Sequence, residues 1–478
     1  MNDFQLLIIG AGPGGYTAAL RAAKLGLRTA VVEAREPGGT CVNRGCVPTK
    51  TLLHSSEVFR AARDGAAIGV HAPDISINME EIFAHKASVS ETLSKGVEGL
   101  FKSAKVPLVR GTAKITAPHT VMVTDADGNV TQYTADNILI ATGSVPARPP
   151  IPGLDLPGVM TSDELLAGTD HLYRSIVIIG GGVIGVEFAT FYADLGCDVT
   201  LIEGLAHLLP TLDRELGQTL ALILKKAGVK VFTGAMVDSV EPCTASDDAP
   251  EGDFAVNFTV KGAPQRVSAE AVLCAIGRRP YHDDLFAPEL LPELNKRSIA
   301  VNDDYETSIP GIYAIGDVSS RIQLAHVAAA QGTDCVNRIA AKLSPDGAAA
   351  AVPPVGRNIV PSCIYSRPEI AVVGMTDAEA KEASIPVKVG KCVMGANART
   401  LICNPGRSFM KVVANAETGE VIGAQLMCPN ATDMISGIAE GMANHLTAAQ
   451  LLAAMRPHPT FEEALSDALQ DLCEKLAR

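Results

Sequence analysis

At 478 residues the chain is long enough for about three domains, and its 47% hydrophobic content supplies several cores. A formal net charge of −13, no tryptophan and 4% aromatic residues argue against a nucleic-acid binder, which needs a basic footprint and stacking platforms. No apolar run approaches the ~20 residues that span a bilayer, and Met1-Asn-Asp-Phe leads straight into an apolar strand with no basic signal region, so the chain is expected in the cytoplasm.

Residues 5–10 (Gln-Leu-Leu-Ile-Ile-Gly) read as a buried parallel strand ending in the glycine turn Gly10-Ala-Gly12-Pro-Gly-Gly15. Helix formers fill 16–26 and a second strand follows over 28–33, which completes a βαβ unit. In such a unit the glycines let the backbone approach a pyrophosphate, whose charge the helix N-terminus stabilises. Glu33, ending the second strand, is then placed to accept hydrogen bonds from a ribose diol; the plainer alternative is a solvated strand-end carboxylate. Next comes Gly-Gly-Thr-Cys-Val-Asn-Arg-Gly-Cys at 38–46, with Pro48 and Lys50 just beyond. Five residues of regular helix rise ~7.5 Å, beyond the ~6.8 Å Cα separation of an ordinary disulfide. A bridge from Cys41 to Cys46 therefore needs a distorted turn, which Gly45 permits. Strained or exposed bridges are the reducible kind. A redox-spaced cysteine pair beside a nucleotide turn points to electron transfer between a flavin or nicotinamide and a thiol.

An apolar strand at 138–143 (Ile-Leu-Ile-Ala-Thr-Gly) is followed by Pro146, and its echo at 272–277 (Val-Leu-Cys-Ala-Ile-Gly) by Pro280. Each reads as a strand returning to close its own nucleotide-binding domain. Between them the first unit recurs: strand 176–179, turn Gly180-Gly-Gly182-Val-Ile-Gly185, a helix to about Leu195, and strand 199–203 ending in Glu203. Gly180 stands as far from Glu203 as Gly10 does from Glu33, so two dinucleotides are expected. Glu203 repels a 2′-phosphate and no arginine follows it before Arg214, so the second nucleotide is expected to be NAD(H). Residues 244–253 read as an exposed hairpin loop and 343–356 as a linker. Beyond the linker, strand-like pieces at 387–391, 409–413 and 421–427 precede helical ones at 433–445, 447–454 and 461–476, the order of an α+β domain. Thr460 and Glu463 fit a capping box opening the last helix, while His458 is of the residue type that suits proton transfer to or from a thiol. The nine other cysteines stand singly and read as small core residues. No CxxC or zinc-finger spacing occurs, and no metal is expected.

Over essentially its whole length the chain resembles the flavin-dependent pyridine nucleotide–disulfide oxidoreductases, through 10–15, 41–50, 141–144, 180–187, 311–318 and 458–463. Gly14-Gly15-Tyr16, Leu324-Ala-His-Val-Ala and Ser366-Arg-Pro-Glu-Ile-Ala-Val-Val-Gly-Met resemble the lipoamide-specific branch. The resemblance implies an α/β fold with two Rossmann-like dinucleotide-binding domains, for FAD and NAD, and a C-terminal α+β dimerisation domain. The implied boundaries are 1–147 for FAD (completed by 281–345), 148–280 for NAD and 346–478 for dimerisation. It further implies oxidation of protein-bound dihydrolipoyl groups through a redox-active disulfide and FAD, with NAD+ reduced to NADH. The implied partners are a second copy of the chain and a lipoylated carrier, either the E2 component of a 2-oxoacid dehydrogenase complex or the H protein of glycine cleavage. The alternatives are an NAD(P)H-dependent reductase of another small disulfide and a non-catalytic flavin-binding accessory subunit.

By the same resemblance Cys41 is the thiol that exchanges with dihydrolipoamide, and Cys46 faces the flavin as the charge-transfer thiolate. Lys50 lies near flavin N5 and pairs with Glu187. His458, oriented by Glu463, serves the active site of the partner subunit. Asp317 holds the ribityl chain, and the helix beginning near Ala325 aims its N-terminus at the flavin C2 carbonyl. The implied cofactor-binding residues are Gly10, Gly12, Gly15, Glu33, Lys50, Thr142, Gly143, Ser144, Asp317 and Ala325, with Gly180, Gly182, Gly185, Glu203 and Gly277. Two positions depart from the pattern: Val183 where a larger gating side chain is common, and Pro457 before His458.

Overall fold

The computed structural model describes residues 2–168, 171–243, 253–343, 359–404 and 406–478. The chain opens with β1 (Phe4–Ile9), α1 (Pro13–Lys24) and β2 (Thr29–Glu33), then α2 (Gly39–Asn43), α3 (Cys46–Asp64) and α4 (Met79–Ser103). β3 (Leu108–Arg110), β4 (Thr112–Ala117), β5 (Thr120–Thr124) and β6 (Val130–Ile140) complete a sheet in the order β3-β2-β1-β6-β5-β4. β1 runs parallel to both β2 and β6. Leu6, Leu7 and Ile8 are fully buried, because both faces of a parallel sheet are covered, and the strand reads as one apolar run.

After β7 (Ser144–Pro146), β8 (Val159–Thr161) and α5 (Ser162–Ala167), the unit repeats as β9 (Ser175–Ile179), α6 (Val183–Asp194) and β10 (Asp198–Glu203). α7 (Arg214–Lys226) and β11 (Lys230–Thr233) follow, and β12 (Ala235–Pro242), β13 (Phe254–Val260) and β14 (Ala263–Ala269) form an antiparallel flap. β15 (Ala271–Cys274) then returns to a parallel sheet ordered β11-β10-β9-β15-β8. The two returning strands expected from the sequence are thus β6 and β15, each lying beside the first strand of its own unit.

β16 (Arg278–Pro280) pairs with β7, and after β17 (Leu294–Asn295) and β18 (Ser298–Ile299), β19 (Ile312–Ala314) joins β6 in the first sheet. α8 (Ala325–Leu343) lies against α1, so closely that a Cβ on Gly332 would stand 2.5 Å from the Gly14 carbonyl oxygen. The last part comprises β20 (Ser362–Ile364), β21 (Ile370–Gly374), α9 (Asp377–Glu382), β22 (Val387–Val393), α10 (Ala398–Cys403), β23 (Phe409–Asn415) and β24 (Val421–Met427). α11 (Ala431–Ala443), α12 (Ala448–Leu452) and α13 (Glu463–Leu476) end the chain. The antiparallel sheet β20-β21-β24-β23-β22 buries its own core of Met410, Leu426, Ile438 and Leu469, the expected α+β arrangement.

Two expectations need amendment. The last helix starts at Glu463, not near 461, because Thr460 does not complete a capping box: its hydroxyl donates to the Pro457 carbonyl, and only its N–H reaches Glu463. Not all nine single cysteines are core residues: Cys403 is exposed at the end of α10, and the Cys392 thiol meets the Asp467 carboxylate. The loop expected at 244–253 and the linker at 343–356 fall, apart from Asp253 and Leu343, outside the described residues.

Candidate active site

One cavity of about 1690 Å³ runs across both glycine turns and the cysteine pair, above the ~300–1,000 Å³ of an ordinary small-ligand site. The two turns are built alike. Gly10 and Gly180 have φ of +104° and +111°, and a Cβ on either would stand 2.4 Å from a carbonyl oxygen of the returning strand's end, Ala141 or Ala275. Gly15 and Gly185 lie 1.8 Å, by the same measure, from the carbonyl oxygens of Gly10 and Gly180. These two do not line the cavity; their closeness to the turn lets each helix pack on its own turn. The middle glycines differ. A Cβ on Gly182 would meet nothing within 4 Å and one on Gly12 only the Gly39 Cα at 3.8 Å. Both cap their helices without a side-chain bond, leaving first-turn N–H groups for an anion.

The strand-end acids are also matched. Glu33 accepts from the N–H groups of Ala11 and Arg35, both at 2.7 Å; Glu203 accepts from those of Gly181 and Leu205, both at 2.6 Å. Neither is merely solvated: each carboxylate is locked to its glycine turn, with lone pairs left for a diol. Val183, first residue of α6, stands at the cavity wall. Two uncapped helix ends, two strand-end acids and open space over two middle glycines fit two dinucleotides.

The cysteines sit on separate helices. α2 ends at Asn43, Gly45 breaks the path (φ −153°, ψ −108°), and Cys46 opens α3. Both line the cavity. The Cys41 thiol donates to Cys46 and, with help from the Lys50 ammonium, lowers Cys46 to about 7 against the cost of burial. Cys41 keeps its proton, pushed well above the ordinary thiol range by that bond and by burial. A helix N-terminus adds to the stabilisation of a Cys46 thiolate.

Lys50 lies one turn from Cys46 on α3 and is bidentate to Glu187 of α6, at 2.8 and 2.7 Å. Glu187 is 3% exposed, so this is no surface pair. Ser144, at the start of β7, donates to Asp317 at 2.6 Å and accepts from Arg278 Nε at 2.8 Å. Burial raises the Asp317 carboxyl, opposed by the Ser144 bond and Arg278. Thr142, Gly143, Gly277 and Ala325 also line the cavity.

His458 and Glu463 do not. They form a dyad of their own, Nδ1 to Oε1 at 2.8 Å, with the His458 side chain 71% exposed. The Thr460 N–H and His458 lower the Glu463 carboxyl. Sequence reasoning missed Arg278 and Tyr365. The Gly277-Arg-Arg-Pro280 run after a returning strand was an available signal for the first. Nothing local marked Tyr365, which stands beyond β20 with its ring centroid 4.8 Å from Lys50 Nζ.

Comparison with known proteins agrees with this geometry. Residues 4–332 match the family Pyridine nucleotide-disulphide oxidoreductase, and residues 360–469 match its dimerisation domain. The chain belongs to the pyridine nucleotide–disulphide oxidoreductases, FAD- and NAD(H)-using enzymes that form homodimers through the C-terminal domain. It is 37% identical to the dihydrolipoyl dehydrogenase of Bacillus subtilis, over 98% of this chain and 97% of that one. It is also 37% identical to dihydrolipoyl dehydrogenase 3 of Pseudomonas putida, over 99% and 98%. Among solved structures it resembles LpdA from Mycobacterium tuberculosis (TM-score 0.85, 27% identity, 98% and 99% covered). It also resembles the HOCl-induced flavoprotein disulfide reductase RclA from Escherichia coli (TM-score 0.82, 27% identity, 98% and 99% covered).

Proposed function

We propose that the protein is a dihydrolipoyl dehydrogenase, and one observation carries the reading: a cysteine pair set on two adjoining helices shares a single cavity with two dinucleotide turns. In the oxidised enzyme a dihydrolipoyl thiolate attacks Cys41 Sγ. The Cys41–Cys46 bond breaks, and Cys46 leaves as the thiolate its environment favours, an acidic thiol being the better leaving group. The second dihydrolipoyl thiol loses its proton and attacks the mixed disulfide at the lipoyl sulfur. Lipoyl disulfide departs and Cys41 is left reduced. With FAD bound, the electron pair of the dithiol would pass to NAD+ as the disulfide closes, yielding NADH and a proton.

The chain's own residues do the rest. His458 of a second copy is the base for the substrate thiol, held in tautomer and orientation by Glu463; its exposure and its place outside its own cavity support this role. Glu203 takes the ribose diol of NAD and excludes NADP. Asp317 and Ser144 hold the flavin side of the cavity, and the N-terminus of α8 offsets negative charge there. We assign 1–147 with 281–345 to FAD, 148–280 to NAD and 346–478 to dimerisation; the return of β19 to the first sheet supports the split FAD domain. The carrier is a lipoylated E2 or H protein, and the chain works in the cytoplasm. Among the described residues no helix is long and apolar enough to cross a membrane. Steady-state rates decide the substrate: dihydrolipoamide with NAD+ is expected to turn over orders of magnitude faster than glutathione disulfide with NADH or NADPH. A preference for glutathione disulfide sinks the proposal.

A further inference from the structure

The Lys50–Glu187 pair is held from a third direction. Lys50 comes from α3, Glu187 from α6, and the backbone N–H of Tyr365, just past β20, donates to Glu187 Oε1 at 3.0 Å. The Tyr365 ring faces the Lys50 ammonium, 4.8 Å from its centroid, within the range in which a ring's quadrupole attracts a cation. Thr432, beside the tyrosine, opposes the rise that burial gives the Tyr365 phenol and is itself fixed to Glu369 at 2.7 Å. A lysine has a four-carbon stem and many rotamers. Here its head group is confined between a bidentate carboxylate on one element and an anchored aromatic face on another.

We propose that Tyr365 is a positioning residue for the redox pair: its ring fixes the Lys50 ammonium where it stabilises the Cys46 thiolate. This rests on the reading of Cys41 and Cys46 as the exchanging pair. The ionisable groups acting on Cys46 are Cys41, Lys50 and Glu187, and those around Tyr365 are Cys363, Glu369 and Glu187. Of these only Lys50 is a cation, so its displacement has one direction of effect. With Lys50 free to swing away, Cys46 gives up its proton at higher pH.

The test uses the FAD-loaded enzyme, reduced with dithiothreitol and freed of it without oxygen. Iodoacetamide labelling at Cys46 is followed by peptide mass spectrometry across pH, which needs neither dihydrolipoamide nor NAD+. The wild type is expected to show a labelling midpoint near 7. Tyr365→Leu moves it up by about half a pH unit or more, Lys50→Met moves it at least as far, and Tyr365→Phe, which keeps the ring, restores the wild-type value. Should Tyr365→Leu fail to fold by circular dichroism, Tyr365→Met fills the space without an aromatic face and is expected to shift the midpoint equally. A wild-type midpoint in the variant lacking the ring overturns the proposal. So does an unmoved midpoint in Lys50→Met, because Tyr365 then has no channel to Cys46. Failure of the dihydrolipoamide assay alone leaves this titration unchanged, so the two claims fail separately.

Discussion

Gly10 and Gly12 stand two residues apart and are glycine for unrelated reasons. At Gly10 the backbone is left-handed and a Cβ would strike the Ala141 carbonyl; at Gly12 φ is −73° and the added atom would point into open cavity. Gly10→Ala is therefore expected to cost folding itself. Gly12→Ala should keep the thermal midpoint of the cofactor-free protein but lose FAD, read as the flavin-to-protein absorbance ratio after gel filtration. Gly182→Ala, by the same geometry, should raise the KM for NAD+ several-fold with FAD content intact. If Gly12→Ala unfolds the chain as Gly10→Ala does, the division between shape and ligand space is wrong. Glu203 makes the sharper specificity claim. Its two backbone bonds fix the carboxylate beside the turn, so a 2′-phosphate meets a like charge that cannot move aside. NAD(H) is expected to be favoured over NADP(H) by at least one to two orders of magnitude in kcat/KM, and Glu203→Ala with a nearby arginine should narrow the gap. Equal efficiencies in the wild type would rule this out.

Among elements, the break at Gly45 separates the cysteines into two helices. A Cβ there would stand 3.1 Å from the Thr40 carbonyl oxygen, so the backbone can double back closely enough to bring Cys41 to Cys46. The elements beyond are clamped by a buried cation. Lys411 of β23 reaches Asp213, which caps α7, and Asp377, which opens α9, the latter at 2.8 Å. The Lys411 and Asp213 side chains are each only 9% exposed. Removing one partner of such a pair strands the other charge and costs about 3 kcal/mol or more. Lys411→Met should lower the chemical-denaturation midpoint accordingly. Adding Asp213→Asn, which keeps an N-cap acceptor, should recover much of the loss. If the double variant is no more stable than the single one, the stranded carboxylate is not the cause.

At the scale of the whole molecule the proposed site draws on two chains. The His458–Glu463 dyad is assembled yet lies off the cavity that holds both cysteines, and 360–469 belongs to a dimerisation domain. Closed two-fold dimers are the commonest oligomers, and one here lets each chain lend its imidazole to the other. Co-expressed Cys41→Ser and His458→Gln chains should form heterodimers with one working site, although each parent is nearly inactive. No recovery in purified heterodimers would mean that His458 acts within its own chain or not at all.

Local pattern determined much of this protein. The two βαβ units, their glycine turns and acids, the cysteine spacing and the α+β tail are each written over short stretches, because glycine geometry and strand periodicity are decided by neighbours in the chain. Tertiary structure alone decided which glycines shape the turn and which leave room for ligand, since that depends on where Ala141 and Ala275 return. It also decided that Thr460 bonds Pro457 instead of completing a capping box, that Arg278 backs Ser144 and Asp317, and that Tyr365 arrives over Lys50. The contacts of Gly10 with Ala141, of Ser144 with Arg278 and of Lys50 with Tyr365 join segments more than 100 residues apart, and only tertiary packing brings their partners together.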